Sequence, residues 1–229
     1  MAVVVAIVLV AVLALAYLPQ LWVRRVIQRY SVERPDYSGT GGQFARYLLD
    51  GMGLGHVIVE ESRIGDHYDP EAKAVRLGRD NMHGKSLTAI VIAAHEVGHA
   101  MQDATGYRPL QRRTSLARQA ARYETVGSMV MLAAPIVLVL AKSPLVMGLA
   151  VAAGLMILAM TVLMHAMTLP VEFDASFNRA LPLLREGRYI SEEELPAARS
   201  ILRAAALTYV AAAALSLLDV MRWLRVLRF

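Results

Sequence analysis

Long apolar blocks constrain this chain more than any other feature of its sequence. Residues 2–23, 126–141 and 145–169 are made almost entirely of aliphatic side chains, and residues 204–221 form a shorter block with a charged end. A helix needs about 20 apolar residues to cross the hydrocarbon of a bilayer. We therefore expect a mainly α-helical membrane protein with about four transmembrane helices. The fourth block either spans the bilayer or lies in the interface between the bilayer and water.

The charges beside these blocks predict how the chain is oriented. Three arginines, Arg24, Arg25 and Arg29, directly follow the first block. Basic residues favour the cytoplasmic side, so the polar segment after them is expected to face the cytoplasm. The second and third blocks are joined only by residues 142–144 and predict a hairpin that returns the chain to the same side. The whole chain of 229 residues is expected to be a single multi-pass domain.

Composition limits the partners and the chemistry. The net charge is +5 and there is no cysteine, so a metal site would have to use histidine and carboxylate ligands. In a membrane protein, an arginine excess indicates orientation and contact with lipid headgroups more often than nucleic-acid binding. The sequence contains no recognisable nucleic-acid-binding motif, and we expect no nucleic-acid partner.

A polar segment, residues 30–123, differs from the apolar blocks and is predicted to be a small α+β catalytic subdomain. Residues 56–61 alternate as a strand would, and residues 64–77 predict a hairpin with its turn at Asp69-Pro70-Glu71. Ser86 can cap a helix over residues 87–103. The apolar stretch of that helix is too short to cross a membrane, so we expect it in the protein core.

This helix carries the sequence His95-Glu96-Val97-Gly98-His99. Residues four apart share one helix face, so His95 and His99 can present two imidazoles to one metal ion. Glu96 lies beside that face, where it could take a proton from an activated water. H-E-x-x-H on a helix is the signature of zinc proteases, although two histidines can also occupy such positions without binding metal.

A hydrolytic zinc site needs a third protein ligand, and Glu172 is the candidate. It lies at the start of residues 170–203, a third-ligand segment followed by an amphipathic helix, where the predicted hairpin returns. A glutamate just after Pro170 is also ordinary capping chemistry at a helix start. From the residues alone, ligand and cap are equally supported.

Four stretches of this chain resemble one known family: HYDPEAKAVRL, AAHEVGHAMQ, LPVEFDAS and AALTYVAAA. They are similar in order to the bacterial neutral zinc metallopeptidase family of YugP-like membrane proteins. More distantly, they resemble the CAAX prenyl proteases and the heat-shock membrane metalloproteases. The resemblance implies a zincin-like catalytic subdomain, a location in the bacterial cytoplasmic (inner) membrane, and one Zn²⁺ per chain.

The resemblance also implies roles for individual residues. The zinc ligands would be His95, His99 and Glu172, and Glu96 would be the catalytic base. The related proteases have an aspartate where this chain has Ser176. The residue that orients a zinc-bound histidine is therefore to be sought among Ser176, Asp174 and Asn178.

Substrate contacts are expected ahead of the metal helix. In related peptidases an edge strand holds the substrate backbone, a role that would fall here to residues 66–69 or 75–77. His67 or Tyr68 could then donate to the developing oxyanion, unless the stretch is only a structural turn. His165, deep in the third block, is either a functional residue or a partner that hydrogen-bonds a neighbouring helix. The basic residues before the second block are expected to be headgroup anchors rather than substrate clamps: Arg112, Arg113, Arg118 and Arg122.

Together these features predict a membrane-bound zinc endopeptidase that cuts protein or peptide substrates at or near the membrane surface. Its expected partners are lipids, those substrates and other membrane proteins. Three rival functions remain: an intramembrane protease, a catalytically silent metal-stabilised scaffold or adaptor, and an amidase acting on a non-peptide amide. All but the scaffold use the same metal chemistry.

Overall fold

The computed structural model describes residues 2–119 and 143–208, and this part of the chain is mainly helical with one small sheet. The helices are α1 (Ala2–Arg29), α2 (Gly41–Gly51), α3 (Arg79–His83), α4 (Leu87–Ala104), α5 (residues 108–119), α6 (Pro144–Phe173), α7 (Leu181–Glu186) and α8 (residues 195–208). A π-helix, Asp174–Ala180, continues α6, and a 3-10 helix, Glu192–Glu194, precedes α8.

Helix α4 is the centre of the fold. Ser86 caps it as predicted, with its hydroxyl accepting a hydrogen bond from the amide of Ala89 at 3.1 Å. Every residue from Leu87 to Ala100 is buried. The helix packs against α2, the sheet and the π-helix, so its polar residues are enclosed on all sides. A helix whose faces are mostly apolar on every side is stable when it is buried in the protein core, as this one is.

The sheet has three strands, β1 (Ile58–Ser62), β2 (His67–Asp69) and β3 (Ala74–Gly78), in the order β1-β3-β2. The predicted hairpin is confirmed, because β2 and β3 pair antiparallel across the turn at residues 70–73. The Asp69 carboxylate holds this turn by accepting from the amides of Glu71 and Ala72. Strand β1 pairs parallel with β3, which leaves β2 at the edge.

The C-terminal end of α1 is held against α4. The Thr88 hydroxyl donates to the carbonyl of Ile27 at 3.0 Å, and the Thr88 amide donates to the carbonyl of Tyr30 at 3.1 Å. Thr88 lies two turns before His95 on the same helix. The last turns of α1 are therefore fixed beside the face of α4 that carries the histidines.

The π-helix crosses α4 at very short range. A side-chain carbon placed on Gly98 would lie only 2.7 Å from the carbonyl oxygen of Ala175, so only glycine permits this approach. The close approach brings Ser176 to the helix that carries the two histidines. A single π-helical turn within a longer helix is often found at functional sites.

The prediction of about four transmembrane helices is wrong for this structure. Within residues 2–119 and 143–208, no helix has both the length and the apolar character needed to cross a membrane. The predicted span at residues 126–141 lies outside the described residues. So do the part of the predicted span 204–221 beyond residue 208 and the last four residues of the predicted segment 30–123. The multi-pass arrangement and its cytoplasmic orientation depended on those spans and have no support here.

Candidate metal centre

Three buried side chains from two helices converge on one point. His95 and His99 come from α4, and Glu172 comes from the end of α6. The Glu172 Oε2 atom lies 3.2 Å from His95 Nε2 and 3.4 Å from His99 Nε2. A tetrahedral zinc ion with bonds of about 2.0–2.1 Å holds its donor atoms about 3.3–3.4 Å apart. The two Glu172 separations match that spacing, and all three donor atoms lie within 4.8 Å of one another, so the group could hold a single small cation.

Each histidine is oriented through its other ring nitrogen. His95 Nδ1 lies 3.0 Å from the Ser176 hydroxyl, which itself donates to the carbonyl of Leu202 at 3.4 Å. His99 Nδ1 lies 2.9 Å from the side-chain oxygen of Gln102. Both contacts place the ring proton on Nδ1, so the Nε2 lone pairs face Glu172 and the shared point.

Gln102 was not among the residues singled out from the sequence. Its side chain is fully buried, and its amide nitrogen donates to the carbonyl of Val171 and to Asp174 Oδ2, both at 2.8 Å. Gln102 thus joins a histidine on α4 to the backbone next to Glu172. Its position three residues after His99, on the same helix face, is the sequence signal that could have identified it.

Glu172 is nearly inaccessible, with 2% of its surface exposed. Burial opposes its ionisation, but while the two imidazoles are protonated the charge of His99 and the hydrogen bonds from His95 and His99 outweigh burial and hold the pKa of Glu172 well below its usual range. Its Oε1 atom has no hydrogen-bond partner among the described residues. A buried carboxylate that stays charged with an unsatisfied oxygen is what a cation site requires.

Glu96 is buried beside the three converging groups and lines the same cavity of about 220 Å³. Burial raises the pKa of Glu96 to about 8; the charge of His95 opposes this shift and that of Glu172 adds to it. The apolar wall of the cavity comes from α1 and from α8, through Val23 and Ala205 among others.

The predicted substrate residues, on the edge strand β2, also line this cavity. His67 lines the cavity, and its Nδ1 contacts the carbonyl of Gly65 at 3.1 Å. Tyr68 also lines it, but its hydroxyl donates to Asp103 at 2.6 Å. Burial and this hydrogen bond raise the pKa of Tyr68. The proton of the Tyr68 hydroxyl is thus directed to Asp103. The described contact of His67 is made by Nδ1, not by Nε2.

The three candidates for orienting a histidine are separated by the structure. Ser176 contacts His95 directly. Asp174 reaches His99 only through Gln102, and it also accepts a hydrogen bond from Arg179 at 2.8 Å. Asn178 donates to Asp174 and contacts neither histidine within the described contacts. The side chain of His165, in α6, lies outside the described part of the structure.

The arginines of α5 also differ from one another. Arg113 lines the metal cavity, with Nη1 3.7 Å from Glu172 Oε1. Arg112 is exposed, and Arg118 pairs with Glu71 at 2.7 Å. Arg122 lies outside the described residues. The four were predicted together as headgroup anchors, a role that the structure does not test.

A small sheet against a buried helix, with two histidines four residues apart and a carboxylate from a later helix, defines a candidate metal-dependent hydrolase. Residues 5–228 match the family described as "Putative neutral zinc metallopeptidase", and the chain belongs to this family. It is 35% identical over 219 residues to the protein named "Putative membrane protease YugP" of Bacillus subtilis (strain 168). That match covers 95% of this chain and 93% of the relative. No solved structure matches the chain.

Proposed function

We propose that this protein is a zinc-dependent endopeptidase whose site is formed by His95, His99, Glu172 and Glu96. The observation that carries the proposal is the convergence of two histidine Nε2 atoms on one buried carboxylate oxygen, at 3.2 and 3.4 Å. The membership in a zinc metallopeptidase family supports the same conclusion. Two histidines with one glutamate is a donor set typical of catalytic zinc.

One Zn²⁺ per chain would be held by His95, His99 and Glu172. When bound, such an ion polarises a peptide carbonyl and lowers the pKa of water. The choice of zinc rests on the nitrogen-rich donor set, because magnesium and calcium prefer oxygen ligands alone. Ser176 and Gln102 keep the two imidazoles in the tautomer that offers Nε2.

Glu96 would act as the general base and then the general acid. Its buried side chain lines the same cavity as the three ligands. It would take a proton from the attacking water and pass that proton to the leaving nitrogen. The open edge of β2 lies at the cavity wall, where a peptide backbone could pair with it as an added strand.

The substrates proposed are protein segments at or near a membrane surface. The support is the name of the relative, a membrane protease that aligns over nearly the full length of both chains. The cavity agrees with a modest apolar side chain next to the cut bond, because Val23, Ile27 and Ile92 form part of its wall.

The substitution Glu96→Gln tests the proposed chemistry. Glutamine keeps the shape of the side chain but cannot accept the proton, so hydrolysis should fall by at least about 10²-fold. The metal content should stay at one zinc per chain, because Glu96 is not a ligand. Both quantities are measured on the same preparation, by cleavage of a mixed peptide library and by elemental analysis.

The matched control is Glu186→Gln, an exposed carboxylate on α7. It should change neither zinc content nor cleavage. Peptidase activity that survives in Glu96→Gln would remove Glu96 from the mechanism. Zinc binding without any cleavage by the wild-type protein would instead favour the metal-stabilised scaffold.

A further inference from the structure

Arg113 is the one arginine of α5 within the described residues that reaches the metal cavity. Its side chain is 25% exposed and its Nη1 atom lies 3.7 Å from Glu172 Oε1. Its neighbour Arg112 faces solvent and does not line the cavity. The two adjacent arginines therefore have the same chemistry and opposite placement.

A peptidase site needs a donor for the oxygen that becomes negative during hydrolysis. The Tyr68 hydroxyl, a candidate for this role, donates to Asp103 at 2.6 Å. The Asp103 carboxylate also pairs with Lys73. The proton of the Tyr68 hydroxyl is thus already engaged by Asp103.

Arg113 can supply the hydrogen-bond donor that Tyr68 does not supply here. A guanidinium carries a permanent positive charge and five N–H donors in a planar fork, so one side chain can contact a carboxylate and a carbonyl oxygen at once. The cavity that it lines also contains Glu96 and both histidines. A peptide carbonyl placed next to Glu96 would lie in a space of about 220 Å³ bordered by that cation.

We propose that Arg113 is a catalytic residue that binds the carbonyl oxygen of the scissile amide and stabilises its negative charge. This inference rests on the proposed peptidase function. As the water oxygen bonds to the carbonyl carbon, the π electrons of the carbonyl move to its oxygen, next to Arg113, and the water proton moves to Glu96. The C–N bond then breaks, and the proton passes from Glu96 to the nitrogen. The products are a carboxylic acid and an amine.

The competing role for Arg113 is to hold Glu172 in place through Oε1. The two roles predict that substitution of Arg113 lowers different quantities. A residue that only positions a ligand changes metal affinity, whereas a residue that contacts the reacting oxygen changes turnover and leaves metal affinity unchanged. The two roles can therefore be separated by measuring zinc content beside kinetics.

The test compares Arg113→Ala, Arg113→Lys and the control Arg112→Ala in the zinc-loaded full-length protein. The kinetic substrate is the peptide that the wild type cleaves fastest from a mixed decapeptide library. For Arg113→Ala we expect kcat to fall about 10²–10³-fold with KM nearly unchanged, as for loss of one oxyanion donor. Arg113→Lys should recover part of this loss, and Arg112→Ala should equal the wild type.

A second readout does not depend on turnover. N-phosphoryl-leucinamide has a tetrahedral, anionic phosphorus that resembles the hydrated amide, and its binding is measured by calorimetry. It should bind at least tenfold more weakly to Arg113→Ala than to Arg112→Ala. Zinc content, measured by elemental analysis, should be the same in all variants.

Loss of zinc in Arg113→Ala in step with loss of activity would overturn the proposal in favour of ligand positioning. So would unchanged kcat, or a loss confined to peptides with a free C-terminal carboxylate. If the wild type cleaves no peptide but the probe still depends on Arg113, the peptidase function fails while the anion-binding role of Arg113 is supported.

Discussion

At the residue scale, the two histidines differ in what orients them. His95 is held by a hydroxyl from the π-helix, and His99 by an amide from its own helix. Both partners are neutral, whereas a carboxylate is a frequent partner of metal-bound histidine. Gln102 also donates to two oxygens near Glu172, so it connects both ligand-bearing helices.

Gln102→Ala should weaken zinc binding by about 10–100-fold, because His99 loses the acceptor that fixes its tautomer. The same change leaves the buried His99 Nδ1–H without its acceptor and removes one donor from the carbonyl of Val171, which should cost about 1–3 kcal/mol of folding free energy. Competition with a zinc-binding dye measures the first effect, and urea unfolding measures the second.

The exposed Gln111 on α5 offers a matched control, since Gln111→Ala removes the same group away from the metal cluster. Gln102→Glu gives a sharper comparison. It keeps an acceptor for His99 but replaces the two donated bonds with a charge beside Asp174. Zinc affinity equal to the wild type in Gln102→Ala would show that the contact is only structural.

At the scale of elements, the crossing of α4 and the π-helix determines whether the site can form. The approach at Gly98 is limited by the Ala175 carbonyl, and Ser176 is the next residue along the chain. Local patterns predicted the parts that depend on neighbours in sequence. These include the Ser86 cap and the β2–β3 hairpin. The crossing itself involves residues far apart in the chain, which single-sequence patterns do not reveal.

Gly98→Ala should separate the two helices. The added carbon would lie 2.7 Å from a backbone oxygen that cannot rotate away. Overpacking of this kind costs about 1–3 kcal/mol, which offsets or exceeds the gain of about 1 kcal/mol in helix propensity. We expect lower zinc affinity and a stability equal to or below that of the wild type, measured by dye competition and urea unfolding.

The control for this prediction is Gly51→Ala, at the end of α2, where an added carbon would meet open space. That variant should be as stable as the wild type or slightly more stable, with unchanged zinc affinity. Full zinc affinity in Gly98→Ala would mean that the crossing can relax without disturbing Ser176.

At the scale of the whole molecule, the metal cluster joins two distant parts of the chain. His95 and Glu172 are 77 residues apart, and the cluster ties α4 to the end of α6. A cation that binds only the folded chain stabilises the fold by an amount that grows with the logarithm of its concentration relative to its dissociation constant. Metal binding and folding should therefore be coupled.

Zinc at about 100 times its dissociation constant should raise the Tm of the wild type by about 5–10 °C. Glu172→Ala should show almost no rise, because only two ligands from one helix remain. Glu186→Ala, on the exposed face of α7, should respond as the wild type does. Scanning calorimetry with and without a chelator measures the shift, and an equal rise in Glu172→Ala would exclude it as the third ligand.

The transmembrane prediction failed at this same scale. Apolar runs led us to expect about four crossings, but none of the helices within residues 2–119 and 143–208 meets the requirement for one. Hydropathy reports only that a side chain avoids water. Whether lipid or protein covers that side chain depends on the assembled molecule.

The sequence by itself determined the local chemistry: two imidazoles on one face of a capped helix, a carboxylate beside them and the family of the chain. Helix periodicity and capping depend only on neighbouring residues, so they can be read without a fold. The tertiary structure decided that Glu172 approaches the histidines, that Gln102 orients His99, and that Arg113 rather than Arg112 enters the cavity. Those outcomes depend on how distant helices pack, and a one-residue difference on a helix turns a side chain by about 100°.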